Sequence, residues 1–184
     1  MNVYDFDKTI YNGDCTKDFV LHCFKKEKKL IPLIPYHLYN GLLFLLKIRS
    51  KKVFKENLYS FIGILENVDD IIEEYVENNT KNIKKWYYEQ QKNDDLIISA
   101  SPLFLIERFC KKLNITCYMA SLVDIKTGKF ISENCFGEEK VKRFDEFYQR
   151  ESIDEFYSDS YSDAPLAKLA KKAFIVKGDN IKPW

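Results

Sequence analysis

The sequence predicts an α/β fold: a Rossmann-like parallel sheet with helices on both faces, and an all-helical segment inserted after the first strand. Short apolar segments alternate with helical patterns after residue 94, as in proteins built on a parallel sheet. Residues 14–93 carry apolar side chains at spacings of three and four, which is the helical period. Acidic or hydroxyl side chains follow several predicted strands, where the carboxyl edge of a parallel sheet binds ligands.

The individual elements follow in chain order from these patterns. Residues 2–6 are predicted to form a short buried strand and residues 14–93 a set of helices. The later predictions are a strand at 95–98, a helix at 102–113, a strand at 115–120, a hairpin at 123–132, a helix at 138–150, a strand at 155–158, a helix at 164–173 and a strand at 173–176. We therefore predict a core domain of residues 1–13 and 94–184, and a helical cap domain of residues 14–93.

Composition indicates a globular protein without a strong overall charge. With 184 residues, 46% of them hydrophobic, the chain can bury a sizeable core. A net charge of +1 predicts no nucleic-acid partner. The charge is nevertheless uneven, because the segment from Lys25 to Lys55 has nine basic residues against one acidic residue, Glu27.

Cysteine usage indicates a reducing compartment. The five cysteines are odd in number and form no C-x-x-C pair, which suits free thiols rather than disulfides or a zinc site. We therefore expect a cytoplasmic protein. His22 and His37 lie in predicted helices without a second ligand at metal spacing, and we expect structural or surface roles for both.

The segment 30–48 has two open interpretations. It is largely apolar and approaches the ~20 residues of a membrane span, but Pro32 and Pro35 argue against a simple span. In one interpretation, residues 28–55 contact the inner face of an anionic membrane, with an apolar surface flanked by lysines. In the other, the segment is a buried helix whose lysines are solvated.

Asp5 and Asp7 fall at the carboxyl end of the first predicted strand and suggest nucleophilic chemistry. The carboxylate of Asp5 can attack phosphorus to give an aspartyl phosphate. Asp7 can protonate the leaving oxygen and then deprotonate the water that hydrolyses the intermediate. An Asp-x-Asp pair alone is common at turns, so this interpretation depends on the motifs downstream.

Two further motifs supply groups that bind phosphate. Ser99, Ala100 and Ser101 fall where a predicted strand turns into a helix, so the Ser99 hydroxyl and the amides of Ala100 and Ser101 are predicted to bind phosphate oxygens. Lys140 is predicted to add a fixed positive charge. We therefore predict that Ser99 and Lys140 are catalytic, and that Ser99, Ala100, Ser101 and Lys140 bind the substrate.

The last motif predicts a metal site. Asp159 and Asp163 lie four residues apart after a strand, and their hard oxygen ligands favour Mg²⁺. In the predicted site four carboxylates and a phosphate face one lysine, so a divalent ion is needed to offset their repulsion. This motif therefore makes Asp159 and Asp163 predicted metal ligands.

Taken together, the motifs resemble the haloacid dehalogenase superfamily, and more narrowly its phosphoserine-phosphatase-like branch, subfamily IB. The motifs are Asp5-Phe6-Asp7-Lys8-Thr9, Ser99-Ala100-Ser101, Gly137-Glu138-Glu139-Lys140 and Asp159-Ser160-Tyr161-Ser162-Asp163. The resemblance implies a Rossmann-like core with a helical cap inserted after the first strand. It also implies that Mg²⁺ is bound by Asp5, the Asp7 carbonyl and Asp159, with Asp163 nearby. A dehalogenase needs only one aspartate in the first motif, so Asp7 favours phosphate chemistry.

The substrate is less closely specified. Asp14 falls where phosphoserine phosphatases place the acid that receives the substrate ammonium, but it can equally cap the following helix. Those enzymes use a cap arginine for the substrate carboxylate, and here Phe61 stands at the aligned position. Residues 28–55 resemble the cap of phosphatidylglycerophosphatases, which also have an apolar, proline-containing stretch between basic residues. The expected partner is therefore a phosphorylated small molecule or a lipid head group.

Three functional hypotheses follow. The first is a Mg²⁺-dependent phosphatase that acts through an aspartyl phosphate on a lipid or amphiphilic phosphate such as phosphatidylglycerophosphate. The second is a soluble small-metabolite phosphatase similar to phosphoserine phosphatase. The third, from another class, is a phosphate-binding module without catalytic activity.

Overall fold

The protein is described by a computed structural model that covers residues 1–184. Its helices and strands, in chain order, are β1 (Asn2–Tyr4), α1 (Cys15–Lys26), α2 (Ile34–Leu45), α3 (Lys51–Tyr59), α4 (Val68–Asn79), α5 (Lys85–Gln90), β2 (Leu96–Pro102), α6 (Leu103–Lys112), β3 (Cys117–Ser121), α7 (Glu138–Asp145), β4 (Glu155–Ser158), α8 (Ala164–Ala167), β5 (Lys172–Lys177) and β6 (Asn180–Pro183). Five short 3₁₀ segments lie between them, the longest at Lys28–Leu33 and Ser60–Ile64.

The six strands form one sheet in the order β3-β2-β1-β4-β5-β6. All neighbouring strands are parallel except β5 and β6, which form an antiparallel hairpin around Gly178, whose φ is +59°. The predicted Rossmann-like α/β fold is confirmed. Because β1 lies between β2 and β4, the carboxyl ends of these three strands meet at one edge, where parallel sheets bind ligands.

The sheet separates two apolar cores. Side chains alternate between the faces of a strand, so Val3 and Phe156 face α7 and α8, whereas Tyr4 and Tyr157 face α5 and α6. The rings of Tyr4 and Tyr157 stack with their centroids 4.9 Å apart, and Tyr87 of α5 meets Tyr4 edge-on at 5.0 Å. Helices therefore cover both faces of the sheet.

The five helices between β1 and β2 agree with the predicted helical insertion. Phe19 of α1 and Tyr75 of α4 are buried in the same apolar cluster as the sheet residue Tyr4. The carboxylate of Asp14 caps α1 by accepting the Lys17 amide at 2.9 Å. The division into domains at residues 14 and 93 stays a prediction, because one apolar cluster runs through both parts.

Helix α2 exposes most of its large apolar side chains. Asn40 is its only buried residue, and Leu38, Leu42 and Leu45 are 70%, 53% and 76% exposed. The interpretation of this segment as a buried helix is therefore wrong for α2. No helix in the structure combines the length and the apolar content that crossing a bilayer requires.

Several element boundaries differ from the predictions. Strand β2 continues to Pro102, so α6 begins one residue later than expected. Helix α7 ends at Asp145, and the predicted helix from residue 164 ends at Ala167. The predicted hairpin at 123–132 is a turn with one antiparallel bridge, between Val123 and Phe130. Strand β6 was not predicted, because its only strongly apolar residue is Ile181.

Candidate active site

Asp5 and Asp7 lie on the loop that follows β1 and face a cavity of about 220 Å³ at the carboxyl edge of the sheet. The Asp5 amide donates to the Tyr157 carbonyl at 2.9 Å, which fastens the start of the loop to β4. Lys8 has a left-handed backbone with φ of 58°, and its amide donates to the Gly13 carbonyl at 2.8 Å. The chain thus turns sharply after Asp7, and both carboxylates remain at the strand end.

Lys140 is the centre of the site. It lies in the first turn of α7, is 1% exposed, and its Nζ is 2.7 Å from both Asp5 Oδ1 and Asp163 Oδ2. Burial alone would lower the pKa of Lys140, but the two carboxylates outweigh burial and raise it above its ordinary value. Burial raises the pKa of the Asp5 carboxyl to about 7, and the positive charge of Lys140 opposes that rise.

Asp163 and Asp159 reach the same cavity from the loop after β4. Asp163 is 2% exposed, and its Oδ2 also accepts the Ser158 hydroxyl at 2.8 Å. Its other oxygen, Oδ1, is buried without a hydrogen-bond partner. Asp159 is half-buried, and burial is the main reason that its pKa is raised.

Asp7 is held by groups from the helical insertion and from β2. Its Oδ1 accepts the Cys15 amide at 2.6 Å, and its Oδ2 accepts the Ser101 hydroxyl at 2.5 Å. Ser101 Oγ in turn lies 2.8 Å from Thr16 Oγ1. Burial raises the pKa of Asp7 to about 6, Asp14 adds to the rise, and the hydrogen bonds oppose it.

The serine motif is arranged differently from the prediction. Ala100 and Ser101 line the cavity, whereas Ser99 is fully buried and does not. Ser99 Oγ accepts the Ser101 amide at 3.1 Å, so that amide already has a partner. The reason is that the strand continues past Ser99 instead of turning directly into α6. The predicted phosphate contact of Ser99 stays a prediction.

The helical insertion adds two lysines that sequence reasoning missed. Lys51 and Lys55 of α3 line the cavity opposite Lys140, and the Lys51 Nζ lies 3.5 Å from the centre of the Phe136 ring. Lys55 donates to the Ala100 carbonyl at 2.7 Å and to Asn134 Oδ1 at 3.1 Å. The sequence signal that could have identified these lysines is their spacing of four residues, which places both side chains on the same face of a helix.

These lysines correct the charge count. The cavity is lined by five carboxylates and four lysines, and not by four carboxylates facing one lysine. The residues are Asp5, Asp7, Asp14, Asp159, Asp163, Lys8, Lys51, Lys55 and Lys140. Electrostatic repulsion alone therefore argues less strongly for a divalent ion than the sequence indicated.

The donor set still suits Mg²⁺. The buried, unpartnered Oδ1 of Asp163 and the half-buried Asp159 present oxygen ligands to one cavity. No three His, Cys, Asp or Glu side chains converge as a complete metal site. Mg²⁺ is commonly bound by one or two carboxylates, with water and substrate oxygens in its remaining positions, and the choice of Asp5, Asp7, Asp159 and Asp163 as its ligands stays a prediction.

Lys84 is a third residue that sequence reasoning missed. It is 6% exposed, and its Nζ donates to the Lys8 carbonyl at 2.8 Å and to the Gly178 carbonyl at 2.5 Å. It therefore joins the loop after Asp7 to the β5–β6 hairpin. A lysine in a helical segment carries no sequence signal for such a role.

Asp14 and Phe61 bear on the substrate. Asp14 both caps α1 and lines the cavity, so the two roles left open by the sequence are compatible. Phe61 is fully buried and packs near Phe19 and Phe24, with ring centroids 6.3 and 5.5 Å away. Phe61 does not line the cavity. The residues of the helical insertion that bring positive charge to the cavity are Lys51 and Lys55.

The family model of haloacid dehalogenase-like hydrolases matches residues 3–168, a stretch that contains all four motifs. The protein belongs to this family. The predicted superfamily and the predicted hydrolase class are therefore confirmed.

Solved structures share the fold at low sequence identity. A protein of unknown function from Bordetella pertussis Tohama I has a TM-score of 0.75 and 14% identity, covering 94% of this chain and 87% of its own. A HAD family hydrolase from Salmonella enterica serovar Typhi has a TM-score of 0.63 and 12% identity, covering 91% and 59%. A phosphoserine phosphohydrolase-like protein from Francisella tularensis SCHU S4 has a TM-score of 0.52 and 18% identity, covering 94% and 86%. No curated protein sequence matches this chain.

Proposed function

We propose that the protein is a Mg²⁺-dependent phosphatase that hydrolyses a phosphate monoester through an aspartyl phosphate on Asp5. The observation that carries this proposal is the row Asp5–Lys140–Asp163, in which the ammonium lies 2.7 Å from an oxygen of each carboxylate. Such a row holds the Asp5 carboxylate in place as a nucleophile and supplies positive charge where phosphate oxygens would lie. Membership of a hydrolase family supports the same conclusion.

The reaction has two steps. In the first, an oxygen of Asp5 bonds to phosphorus while the bond from phosphorus to the ester oxygen breaks, and Asp7 gives its proton to that oxygen. In the second, Asp7 takes a proton from water as the water oxygen attacks phosphorus, which releases phosphate and restores Asp5. A pKa of about 6 suits Asp7 for both transfers near neutral pH.

The remaining residues hold the phosphate and the metal. Lys140, Ala100 and Ser101 are the proposed phosphate contacts, and Ser99, which does not line the cavity, supports them through its hydrogen bond to the Ser101 amide. Asp5, the Asp7 carbonyl and Asp159 are the proposed Mg²⁺ ligands, with Asp163 beside them. When bound, Mg²⁺ supplies positive charge that offsets the charge of the phosphate oxygens.

Replacement of the nucleophile tests this function. We expect Asp5→Asn to abolish hydrolysis of an aryl phosphate in the presence of Mg²⁺, because a neutral amide does not attack phosphorus. The matched control is Asp94→Asn, an exposed carboxylate outside the cavity, which is expected to keep the wild-type rate. Wild-type turnover by Asp5→Asn would refute the mechanism. Phosphate binding without turnover by the wild-type protein would favour the non-catalytic module.

We further propose that the substrate is a lipid or amphiphilic phosphate and that residues 28–55 contact a membrane surface. The support is α2, where Leu38, Leu42 and Leu45 recur at helical spacing and are all exposed. Exposed lysines at 25, 26, 28, 29 and 47 flank this helix in the chain. An apolar face with adjacent cations complements an anionic lipid surface.

A small-metabolite phosphatase is the second candidate, and Asp14 favours it. A carboxylate on the cavity wall can receive a substrate ammonium, as in phosphoserine. The buried Phe61 offers no charge for a substrate carboxylate, which counts against phosphoserine itself. Comparing O-phosphoserine with phosphatidylglycerophosphate as substrates separates the two candidates.

A further inference from the structure

A groove lies between α1, α2 and α3 beside the catalytic cavity. It has a volume of about 410 Å³, and its apolar walls are Val20, Leu21, Phe44, Phe54 and Leu58. The rings of Phe44 and Phe54 stack with centroids 4.5 Å apart, which joins α2 to α3. The groove is therefore an apolar site formed entirely by the helical insertion.

The groove is continuous with the catalytic cavity. Both are lined by Asp14, Thr16, Lys51 and Lys55. Thr16 also reaches the Ser101 hydroxyl that donates to Asp7. Asp7 is the proposed acid that protonates the leaving oxygen. The leaving group therefore lies close to Asp7 and to Thr16, and Thr16 lines the groove.

The two lysines at this junction have no acidic partner. Neither Lys51 nor Lys55 has a carboxylate within salt-bridge distance, whereas Lys52, which lies between them in the chain, pairs with Glu133 at 2.7 Å. Lys51 contacts the Phe136 ring, and Lys55 bonds only to neutral oxygens. Burial and the neighbouring Lys51 lower the pKa of Lys55 to about 8. An anion bound here would offset the cost of two adjacent, partly desolvated ammonium groups.

We propose that the groove binds a hydrocarbon chain of the substrate's leaving group, and that Lys51 and Lys55 bind a second negative charge between this chain and the scissile phosphate. The proposal deepens the phosphatase function and rests on it, because it assigns the groove to the leaving group. The ligand class is a phosphate monoester of an anionic amphiphile.

Binding of n-alkylphosphonates tests the groove without requiring turnover. Calorimetry in the presence of Mg²⁺ would measure the affinity of the series from ethylphosphonate to octylphosphonate, kept below micelle-forming concentrations. We expect each added methylene to raise the affinity by about two- to four-fold until the groove is filled. Val20→Phe narrows the groove and is expected to weaken octylphosphonate more than ethylphosphonate. Phe147→Ser, an exposed aromatic outside the groove, is expected to keep the wild-type dependence on chain length.

The second charge is tested with alkylphosphonates that carry a carboxylate on the first carbon. We expect the carboxylate to raise the affinity by about ten-fold in the wild-type protein. Lys51→Met and Lys55→Met are expected to remove most of this gain, and Lys55→Arg to restore part of it. Lys52→Met is the matched control, because its side chain pairs outside the cavity.

The outcomes separate this proposal from the phosphatase function. Equal affinity for ethylphosphonate and octylphosphonate would overturn the hydrocarbon site, even if Asp5→Asn abolishes hydrolysis. An unchanged carboxylate gain in both lysine variants would overturn the anion site. A clear dependence on chain length together with full activity of Asp5→Asn would refute the proposed mechanism and leave the groove as a ligand site.

Discussion

Lys140 illustrates how single side chains determine the chemistry of the site. Burying an ammonium group is costly unless it is paired, and here two carboxylates pair with it at 2.7 Å. The pairing acts in both directions, because Lys140 opposes the rise that burial causes in the pKa of Asp5. In the proposed mechanism Asp5 attacks phosphorus as a carboxylate, and this pairing helps it to stay ionised.

Asp95 is a buried carboxylate outside the site. It is fully buried before β2, and its Oδ2 accepts the Lys92 amide at 2.9 Å and the Tyr87 hydroxyl at 3.5 Å. Its Oδ1 has no partner. Burial, with a smaller contribution from Asp94, raises the pKa of Asp95 from 3.8 to about 6. Ionised Asp95 therefore destabilises the folded state. This destabilisation decreases as the pH falls below about 6, because the carboxyl becomes protonated in the folded protein.

We predict that Asp95→Asn stabilises the protein at about pH 7, by about 1 to 3 kcal/mol. The amide keeps an acceptor for Lys92 and carries no charge. Because the wild-type carboxyl is protonated at low pH in the folded protein, the difference should shrink towards zero near pH 4. Urea unfolding at the two pH values measures it. A gain of equal size at both would show that burial of charge is not the cause.

At the level of elements, the turn at residues 124–130 braces α3. The Phe130 amide donates to Glu56 Oε1 at 3.2 Å, and Lys52 of α3 pairs with Glu133. Gly128 has φ of +72°, and a Cβ built there would lie 2.3 Å from the Tyr59 carbonyl oxygen at the end of α3. Since α3 carries the two lysines of the cavity, this turn fixes where the helical insertion meets the site.

We predict that Gly128→Ala lowers the free energy of unfolding by about 1 to 3 kcal/mol, because the new methyl group strains a left-handed residue against the end of α3. Thermal or urea unfolding measures the loss. Gly41→Ala is the matched control, since nothing lies within 4 Å of its added Cβ in α2. A small gain is expected there from the better helix propensity of alanine. Equal effects of the two substitutions would contradict the proposed bracing.

In the whole molecule, the proposed active site and the exposed apolar surface belong to different parts of the fold. The aspartates proposed to be catalytic and Lys140 belong to the sheet and its flanking helix, while the exposed leucines belong to α2. The groove between α1, α2 and α3 shares four lining residues with the cavity and reaches α2 at Phe44. This arrangement is the basis of the proposal that the substrate is amphiphilic and that α2 contacts a membrane surface.

We predict that the protein co-sediments with phosphatidylglycerol vesicles at low salt and less with neutral phosphatidylcholine vesicles. The triple substitution Leu38→Ser, Leu42→Ser and Leu45→Ser should reduce binding by about ten-fold or more, because it removes the exposed apolar face. Ile131→Ser, at an exposed position outside α2, is expected to keep wild-type binding. Absence of wild-type binding to anionic vesicles would exclude membrane contact and leave the phosphatase mechanism standing.

The sequence alone was sufficient for the fold class, the family and the order of the motifs. Strand–helix alternation is a local pattern, and the aspartates at 5, 7, 159 and 163 follow strands whose carboxyl ends must meet in a parallel sheet. The prediction that these carboxylates share one cavity follows from that topology, whereas the prediction that Lys140 joins them depended on the motif Gly137-Glu138-Glu139-Lys140 and its place in the order of the motifs.

Only the tertiary structure decided which other groups join them. Lys51 and Lys55 of the insertion line the cavity, whereas Lys84 of the insertion does not line it and instead holds the loop after Asp7 through the Lys8 carbonyl. These contacts depend on how the helices pack against the edge of the sheet. Ser99 lies outside the cavity because β2 continues to Pro102. Helix α2 is exposed although its apolar composition is typical of a buried helix. Local patterns determine elements and their order, whereas burial and partner choice arise from contacts between residues far apart in the chain.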